Sequence, residues 1–154
     1  MHKAGFVTIL GNPNVGKSTL MNNLIGENLS IITNKAQTTR HRILGVLSED
    51  DYQIVFSDTP GVITPHHDLH EAMMNFVQIS LEDADVILYM VDCSLRDLND
   101  SKFLDKVGES NIPIILLINK IDLIKQEDVV GLLDFWTKKV PNATLIPISA
   151  LEKF

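Results

Sequence analysis

Cysteine and long apolar runs are scarce in this sequence of 154 residues, and basic residues are outnumbered by acidic ones. The single cysteine, Cys93, excludes an internal disulfide framework and any site built from several thiolates, and it suits a reducing compartment. The apolar runs are strand-sized and fall short of the roughly 18 residues that a membrane-spanning helix needs. With 13 Lys and Arg against 20 Asp and Glu, the net charge of -7 argues against nucleic-acid binding through a basic face. These absences favour a cytosolic globular domain.

What the sequence does contain is an alternation of short apolar runs with longer amphipathic stretches. This pattern predicts a mostly parallel sheet covered by helices, an α/β fold, and the length suits one domain. The predicted strands are Gly5 to Leu10, Ile43 to Leu47, Tyr52 to Ser57, Val86 to Asp92, Pro113 to Asn119 and Thr144 to Ser149. Only four residues separate the second strand from the third, so these two are predicted to form an antiparallel hairpin at a sheet edge.

Four helices are predicted between these strands. They are Lys17 to Ile25, closed by Gly26, then about Leu69 to Asp83, about Asp100 to Glu109, and about Gln126 to Lys139. In the last helix, helical spacing predicts a core-facing stripe of Val129, Val130, Leu133, Trp136 and Val140. The segments Glu27 to Arg42 and Thr59 to Asp68 resist assignment, and long connections of this kind are usually functional or mobile.

The stretch between the first strand and the first helix fits the pattern G-x-x-x-x-G-K-[ST]. It reads Gly11, Asn12, Pro13, Asn14, Val15, Gly16, Lys17 and Ser18. Glycines at both ends let the backbone wrap closely around phosphates, while N–H groups at the helix N-terminus point at the anion. Lys17 is predicted to reach the β- and γ-phosphates, and the Ser18 hydroxyl to bind Mg²⁺. The alternative is a glycine-rich turn that only starts a helix.

The nucleotide base is predicted by the run Asn119, Lys120, Ile121 and Asp122, which follows an apolar strand. The Asp122 carboxylate can accept hydrogen bonds from guanine N1–H and N2–H₂, and adenine does not offer these donors on the same edge. A site built on a required hydrogen bond can reject the analogue that lacks it by about 10⁴-fold. Taken alone, the run could be a strand-to-helix turn capped by Asp122.

Two weaker motifs occupy the ends of other strands. Asp58, Thr59, Pro60 and Gly61 end the third strand, where Asp58 can join the Mg²⁺ shell and the Gly61 N–H can sense a γ-phosphate. Ser149 and Ala150 end the sixth strand, where backbone N–H groups can meet guanine O6. The first could instead be an ordinary turn that closes a strand, and the second has weight only through its place at a strand end.

In this order the motifs resemble those of translation-factor-related GTPases. The stretches Gly11 to Thr19, Ala36 to Ile43 with its Gln-Thr-Thr-Arg-His-Arg run, and Asp58 to Val62 are together similar to the Era family of bacterial ribosome-assembly GTPases, in the TrmE-Era class. The resemblance covers essentially the whole chain. It implies a three-layer P-loop NTPase domain with a six-stranded, mostly parallel sheet and one antiparallel edge strand. It also implies a GTP-binding and GTP-hydrolysing switch in small-subunit ribosome assembly.

The resemblance carries further residue roles. Thr39, or less favourably Thr38, would close on Mg²⁺ and the γ-phosphate, joining Ser18 and Asp58 as metal ligands, and the two unassigned segments would be switch regions. Val62 stands where Ras-like proteins carry a water-orienting glutamine, so hydrolysis should be slow or use another group. In relatives an asparagine corresponding to Asn14 helps to hold K⁺, which predicts K⁺ stimulation. The implied catalytic residues are Asn14, Lys17, Thr39 and Gly61.

The resemblance also implies that residues 1–154 are the G domain only. The expected final helix and the C-terminal KH-type RNA-binding domain are lacking, so small-subunit rRNA and the 30S subunit would bind outside this monomeric piece. The missing helix predicts an exposed apolar strip on the sheet. Location would be cytoplasmic, with peripheral association at the inner face of the bacterial membrane. The alternatives are the G domain of a tRNA-modification or ferrous-iron-transport GTPase, and a nucleotide-bound interaction module with negligible hydrolysis.

Overall fold

The computed structural model describes residues 1–26, 43–62, 68–94, 105 and 107–153. The strands are β1 (Lys3–Gly11), β2 (Ile43–Ser48), β3 (Tyr52–Asp58), β4 (Val86–Asp92), β5 (Ile114–Asn119) and β6 (Thr144–Pro147). The described helices are α1 (Lys17–Ile25), α2 (Asp68–Glu82) and α3 (Gln126–Lys139), with a 3₁₀ turn at Ile121–Leu123. Within these residues no helix is long and apolar enough to span a membrane.

The six strands form one sheet in the order β2-β3-β1-β4-β5-β6. β2 runs antiparallel to β3, from the pair Ile43 and Asp58 to the pair Ser48 and Gln53. All other neighbours are parallel. The predicted α/β fold, with its six-stranded sheet and antiparallel edge hairpin, is therefore confirmed. Because the carboxyl ends of parallel strands meet at one edge, the topology gathers the ends of β1, β3, β4 and β5 there, where open α/β sheets bind ligands.

Helix α1 connects this edge to the core. It starts directly after Gly16 and ends at Gly26, which has a left-handed backbone and donates its N–H to the Asn22 carbonyl at 2.9 Å. Both ends match the sequence prediction. The α2 prediction is off by one residue at each end, and the α3 prediction matches. The helix predicted over Asp100 to Glu109 falls mostly outside the described residues.

Apolar side chains cover both faces of the central strands. On one face, β4 and β5 pack with α2 and α3 around the fully buried Tyr89 and Trp136. On the other face, Ile9 and Phe56 pack against Met21 of α1. Fully burying a side chain of this size contributes about 1.5–3 kcal/mol. Met90 of β4 and Leu117 of β5 are also buried on the second face, so burial on two sides explains why β4 and β5 read as apolar runs.

The predicted core stripe of α3 is wrong at one position. Val130 is 62% exposed, whereas Leu132 is 1% exposed and Trp136 is fully buried. Residues in an α-helix are 100° apart, so Val130 lies about 200° from Leu132, on the opposite side. The spacing of apolar residues allowed two overlapping faces, and packing against the sheet selected the one that contains Leu132.

Part of the sheet face that carries α1 keeps partial exposure. Among the residues that the structure describes, Leu88 and Ile115 are half-buried and Ile146 is 41% exposed. The register places Leu88 beside Ile115 and places Ile146 beside Leu117, two residues further along β5, so apolar side chains extend across this face from β4 to β6. The predicted strand over Thr144 to Ser149 is also shorter than expected, since β6 ends at Pro147 and the chain then forms the loop of Ser149 and Ala150.

Candidate guanine-nucleotide site

The loop from Gly11 to Ser18 adopts a backbone that its glycines make possible. Gly11 and Gly16 have φ angles of +148° and +106°, and Asn14 also has a positive φ of +60°. A Cβ atom at Gly11 would collide with the carbonyl oxygen of Met90, and one at Gly16 with the side-chain amide of Asn119. The two predicted glycines therefore permit both the left-handed turns and the close approach to neighbouring strands.

Lys17 points into the loop that precedes it. Its side chain is 6% exposed, and Nζ donates to the carbonyl oxygens of Gly11 at 3.2 Å and Asn12 at 2.7 Å. Burial lowers the pKa of Lys17 to about 8, although the nearby Asp58 carboxylate acts in the opposite direction. A buried ammonium is suited to an anion, because the negative charge of phosphate oxygens would compensate for the hydration that burial removes.

Two of the predicted metal ligands are in contact. The Ser18 hydroxyl donates to Oδ2 of Asp58 at 2.8 Å, and Asp58 is fully buried at the end of β3. Thr59 fixes the following turn by donating to the Ile9 carbonyl at 2.8 Å. A hydroxyl and a carboxylate side by side are oxygen ligands of the kind that Mg²⁺ prefers, so the pair fits that ion. Thr39, the third predicted ligand, and Thr38 lie outside the described residues.

The turn after Asp58 packs directly on the phosphate loop. The Val62 N–H donates to the Gly11 carbonyl at 2.8 Å, and Val62 is 1% exposed. A Cβ at Gly61 would lie 2.6 Å from the Pro13 nitrogen and 2.7 Å from its Cα, so backbone would block any larger residue. Pro60 is buried in the same turn. The structure therefore brings Gly61 against the loop whose phosphate it was predicted to sense.

Asn119 joins three of the predicted motifs. Its Nδ2 donates to the Val15 carbonyl at 2.7 Å, and its Oδ1 accepts from the Ala150 N–H at 2.9 Å. The next residue, Lys120, donates from Nζ to the Asn14 carbonyl at 2.8 Å. One dipeptide at the end of β5 thus holds both the phosphate loop and the loop after β6.

Asp122 is oriented by the last motif. The Ser149 hydroxyl donates to Oδ1 of Asp122 at 2.6 Å, and Ile121 bonds through its N–H to the Ile148 carbonyl at 3.3 Å. Asp122 itself lies at an exposed position. Ser149 is buried and fixes the direction of the carboxylate, which leaves its other oxygen at the open edge where a base can approach.

A family model described as a 50S ribosome-binding GTPase matches residues 6–120 of the sequence. The chain belongs to this GTPase family. The match runs from β1 through the phosphate loop and the Asp58 turn to Lys120, so it includes the phosphate half of the site and ends before Asp122, Ser149 and Ala150.

Individual relatives show which members of this GTPase family the chain is similar to. GTPase Era of Clostridium beijerinckii is 43% identical over 153 residues, which are 99% of this chain and 51% of that protein. A crystal structure of Era in complex with MgGDPNP and nucleotides 1506-1542 of 16S ribosomal RNA matches with a TM-score of 0.92 and 44% identity, over 99% of this chain and 53% of the other. The resemblance to Era is confirmed, and the chain spans about half the length of these relatives.

A more distant solved structure is NFeoB from S. thermophilus bound to GDP.AlF4- and K+. Its TM-score is 0.71 at 25% identity, and the match covers 99% of this chain and 56% of the other. The ferrous-iron-transport GTPase, one of the alternatives to Era, is therefore a more remote likeness than Era.

This GTPase domain also contains site residues that sequence reasoning missed. Asp92 at the end of β4 lies 2.6 Å from Nζ of Lys120, and Asn23 of α1 bonds to the Ala150 carbonyl. The sequence pointed to Asp92, because this acidic residue ends a strand predicted to lie in the same parallel sheet as the strand that ends at Asn119. The sequence did not point to the Asn23 contact, since nothing in it places α1 against a loop 127 residues away.

Proposed function

We propose that this chain is the G domain of an Era-like protein, which binds GTP and hydrolyses it as a switch in small-subunit ribosome assembly. The observation that carries the proposal is the pair of hydrogen bonds made by Asn119. They join the loop that suits phosphates to the segment that suits guanine, so one ligand can occupy both. The 43% identity to an Era protein over nearly the whole chain supports the same assignment.

Each motif has a role in this proposal. The backbone N–H groups from Asn14 to Thr19 and the Lys17 ammonium bind the phosphates, while Asp122 selects guanine. The Ala150 N–H donates to the Asn119 side chain, so guanine O6 would share that donor. Ser18 and Asp58, joined by Thr39, hold Mg²⁺, which supplies positive charge to the phosphates when it is bound. The Gly61 N–H faces the γ-phosphate. Attack by water in line with the leaving group then depends mostly on positioning and charge rather than on a covalent intermediate.

The proposal extends to slow, K⁺-stimulated hydrolysis. Val62 is buried and apolar, so it cannot orient a water molecule by hydrogen bonding. Asn14 sits exposed on the phosphate loop with a positive φ, and its carbonyl is held by Lys120. A side-chain amide oxygen there offers a ligand for a monovalent cation near the β- and γ-phosphates. The NFeoB structure that contains K⁺ supports this chemistry for a distant relative with the same fold.

The ribosomal partner is proposed from the nearer relatives. The family description names the 50S subunit, whereas the Era structure contains a segment of 16S ribosomal RNA. At 44% identity over almost the whole chain, we favour small-subunit RNA. A net charge of -7 makes this domain a poor ligand for RNA, so binding is assigned to a further, KH-type domain of a longer protein.

The partly exposed apolar side chains of Leu88, Ile115 and Ile146 support a further helix in that longer protein. Such a helix would bury apolar surface that the described residues leave partly open. The monomeric state of this piece, the cytoplasmic location and the peripheral association with the bacterial membrane remain predictions from the resemblance.

Nucleotide binding and single-turnover hydrolysis test the proposal. The 154-residue chain should bind GDP and GTP with Mg²⁺, reject ATP, and release phosphate from GTP. Binding of ATP as tight as that of GTP would contradict the assignment of the base site. Tight GTP binding without phosphate release would instead favour an interaction module that uses the nucleotide only as a structural ligand.

A further inference from the structure

The carboxyl end of β4 contacts the Asn119–Lys120 segment at three points. The Cys93 N–H donates to the Asn119 carbonyl at 2.9 Å, and the Cys93 thiol lies 3.1 Å from the Lys120 carbonyl. Oδ2 of Asp92 lies 2.6 Å from Nζ of Lys120. The strand register explains these three contacts, because Asp92 is the direct neighbour of Asn119 in the parallel pair of β4 and β5.

Lys120 is held in an unusual conformation at the centre of these contacts. Its φ of +66° is left-handed, a region that L-residues other than glycine and asparagine seldom enter. Its ammonium also donates to the carbonyl oxygen of Asn14, whose own φ is +60°. One ammonium therefore ties a carboxylate on β4 to a left-handed turn in the phosphate loop.

Asp92 is itself oriented for this contact. Its Oδ1 accepts hydrogen bonds from the Ser94 N–H at 2.8 Å and the Ser94 hydroxyl at 2.6 Å, which directs Oδ2 to Lys120. The Asp92 side chain is 12% exposed and that of Lys120 is 34% exposed, so water screens this ion pair less than a pair on the open surface.

The carboxylate is charged at neutral pH. Burial acts to raise the pKa of Asp92, but hydrogen bonds from Lys120 and Ser94 outweigh burial and hold the pKa below its usual range. The ion pair with Lys120 is thus present under the conditions in which nucleotide binding is measured.

We propose that Asp92 is a positioning residue for guanine-nucleotide binding. It holds the Lys120 ammonium on the Asn14 carbonyl and so fixes the phosphate-loop turn in its binding geometry, without touching the nucleotide. This inference rests on the proposed function, since the ligand is the same guanine nucleotide. No motif that identifies the base or the phosphates includes Asp92.

The test measures GDP affinity and dissociation in the 154-residue chain with a fluorescent GDP. Asp92→Asn keeps the shape of the side chain and removes its charge, and we expect GDP binding to weaken about 5- to 30-fold, mainly through faster dissociation. Asp134→Asn is the matched control, because it removes the same charge from an exposed position on α3. Its GDP affinity should stay within twofold of the wild type.

A double-mutant cycle separates positioning from general support of the fold. If Asp92 acts through Lys120, adding Asp92→Asn to Lys120→Met changes GDP affinity by less than twofold. Ser94→Ala provides a second route, since it removes the hydroxyl that orients Asp92 and should weaken binding about 2- to 5-fold, again only while Lys120 is present. This second cycle decides the question if Asp92→Asn does not fold.

Each outcome has a distinct meaning. Equal losses in the wild-type and Lys120→Met backgrounds would overturn the inference, as would Asp92→Asn binding GDP like the Asp134→Asn control. In both cases tight GDP binding by the wild type would leave the proposed function standing. A wild type that does not bind GDP would remove the proposed function, and the inference with it.

Discussion

The side-chain amide of Asn119 donates a hydrogen bond to the carbonyl oxygen of Val15 at 2.7 Å, across 104 residues of sequence. The same side chain accepts from the Ala150 N–H, so one amide group at the end of β5 joins the loops that follow β1 and β6. Because Asn119 is only 3% exposed, water cannot readily replace either bond. The phosphate and base halves of the site are therefore one structural unit.

Asn119→Ala should separate those two halves. The change leaves the Val15 carbonyl and the Ala150 N–H without their side-chain partner, at a cost of about 1–3 kcal/mol each. We expect GDP affinity to fall about 10- to 100-fold in a fluorescence titration, together with a lower thermal midpoint. Asn142→Ala, at an exposed turn, is the control and should match the wild type. Unchanged GDP binding by Asn119→Ala would mean that the link has no role in the site.

Gly61→Ala should impair hydrolysis more than nucleotide binding. The new Cβ would lie 2.6 Å from the Pro13 nitrogen, so the turn that carries Gly61 must move off the phosphate loop. We expect single-turnover GTP hydrolysis to fall at least about 10-fold, while GDP affinity changes by less than about threefold. The control is Gly131→Ala in α3, where the added Cβ meets nothing within 4 Å. That control should keep full activity and gain about 0.5–1 kcal/mol in stability from helix propensity.

The buried Lys17 predicts a stability change at alkaline pH in the nucleotide-free, Mg²⁺-free chain. Its pKa falls from 10.5 to about 8 in the folded state, so between these values the unfolded chain binds more protons than the folded one. The free energy of unfolding of the wild type, minus that of Lys17→Met, therefore rises with pH from about 8 to 10.5, by up to about 3 kcal/mol. Denaturant unfolding of both proteins at several pH values measures the difference. A difference that falls over this range would contradict the assigned burial of the ammonium.

Asn14→Ala tests the cation proposal. We expect GTP hydrolysis by the wild type to be faster in K⁺ than in Na⁺ at equal ionic strength, and the ratio to approach one in the variant. The physical reason is that the Asn14 side chain would supply an oxygen ligand to the cation proposed beside the β- and γ-phosphates. Equal rates in the two salts for the wild type, or a retained difference in the variant, would refute the proposal.

Much of the fold could be predicted from local pattern. The ends of α1 follow from Gly16 and Gly26, and the hairpin follows from a connection too short for a crossover. These features depend on the chemistry of neighbouring residues, which the sequence displays directly. The face of α3 does not, because overlapping apolar stripes were resolved only by packing against the sheet, which exposed Val130 and buried Leu132.

The candidate site likewise has features that the sequence predicts and features that it does not. Its motifs could be recognised because phosphate and guanine binding demand particular residue types at fixed spacing. The contacts among them could not, since the ion pair of Asp92 with Lys120 depends on strand order and register. The exposure of Asp122 was also unpredictable, because it depends on where the loop after β6 lies.

The account is tested most directly by calorimetric titration of the chain with GDP and with ADP, each with Mg²⁺. If Asp122, Asn119 and Ala150 form the base site described above, GDP should bind at least about 10³-fold more tightly than ADP, and Asp122→Ala should remove most of that preference. Affinities for GDP and ADP within tenfold of each other would contradict a guanine-specific site.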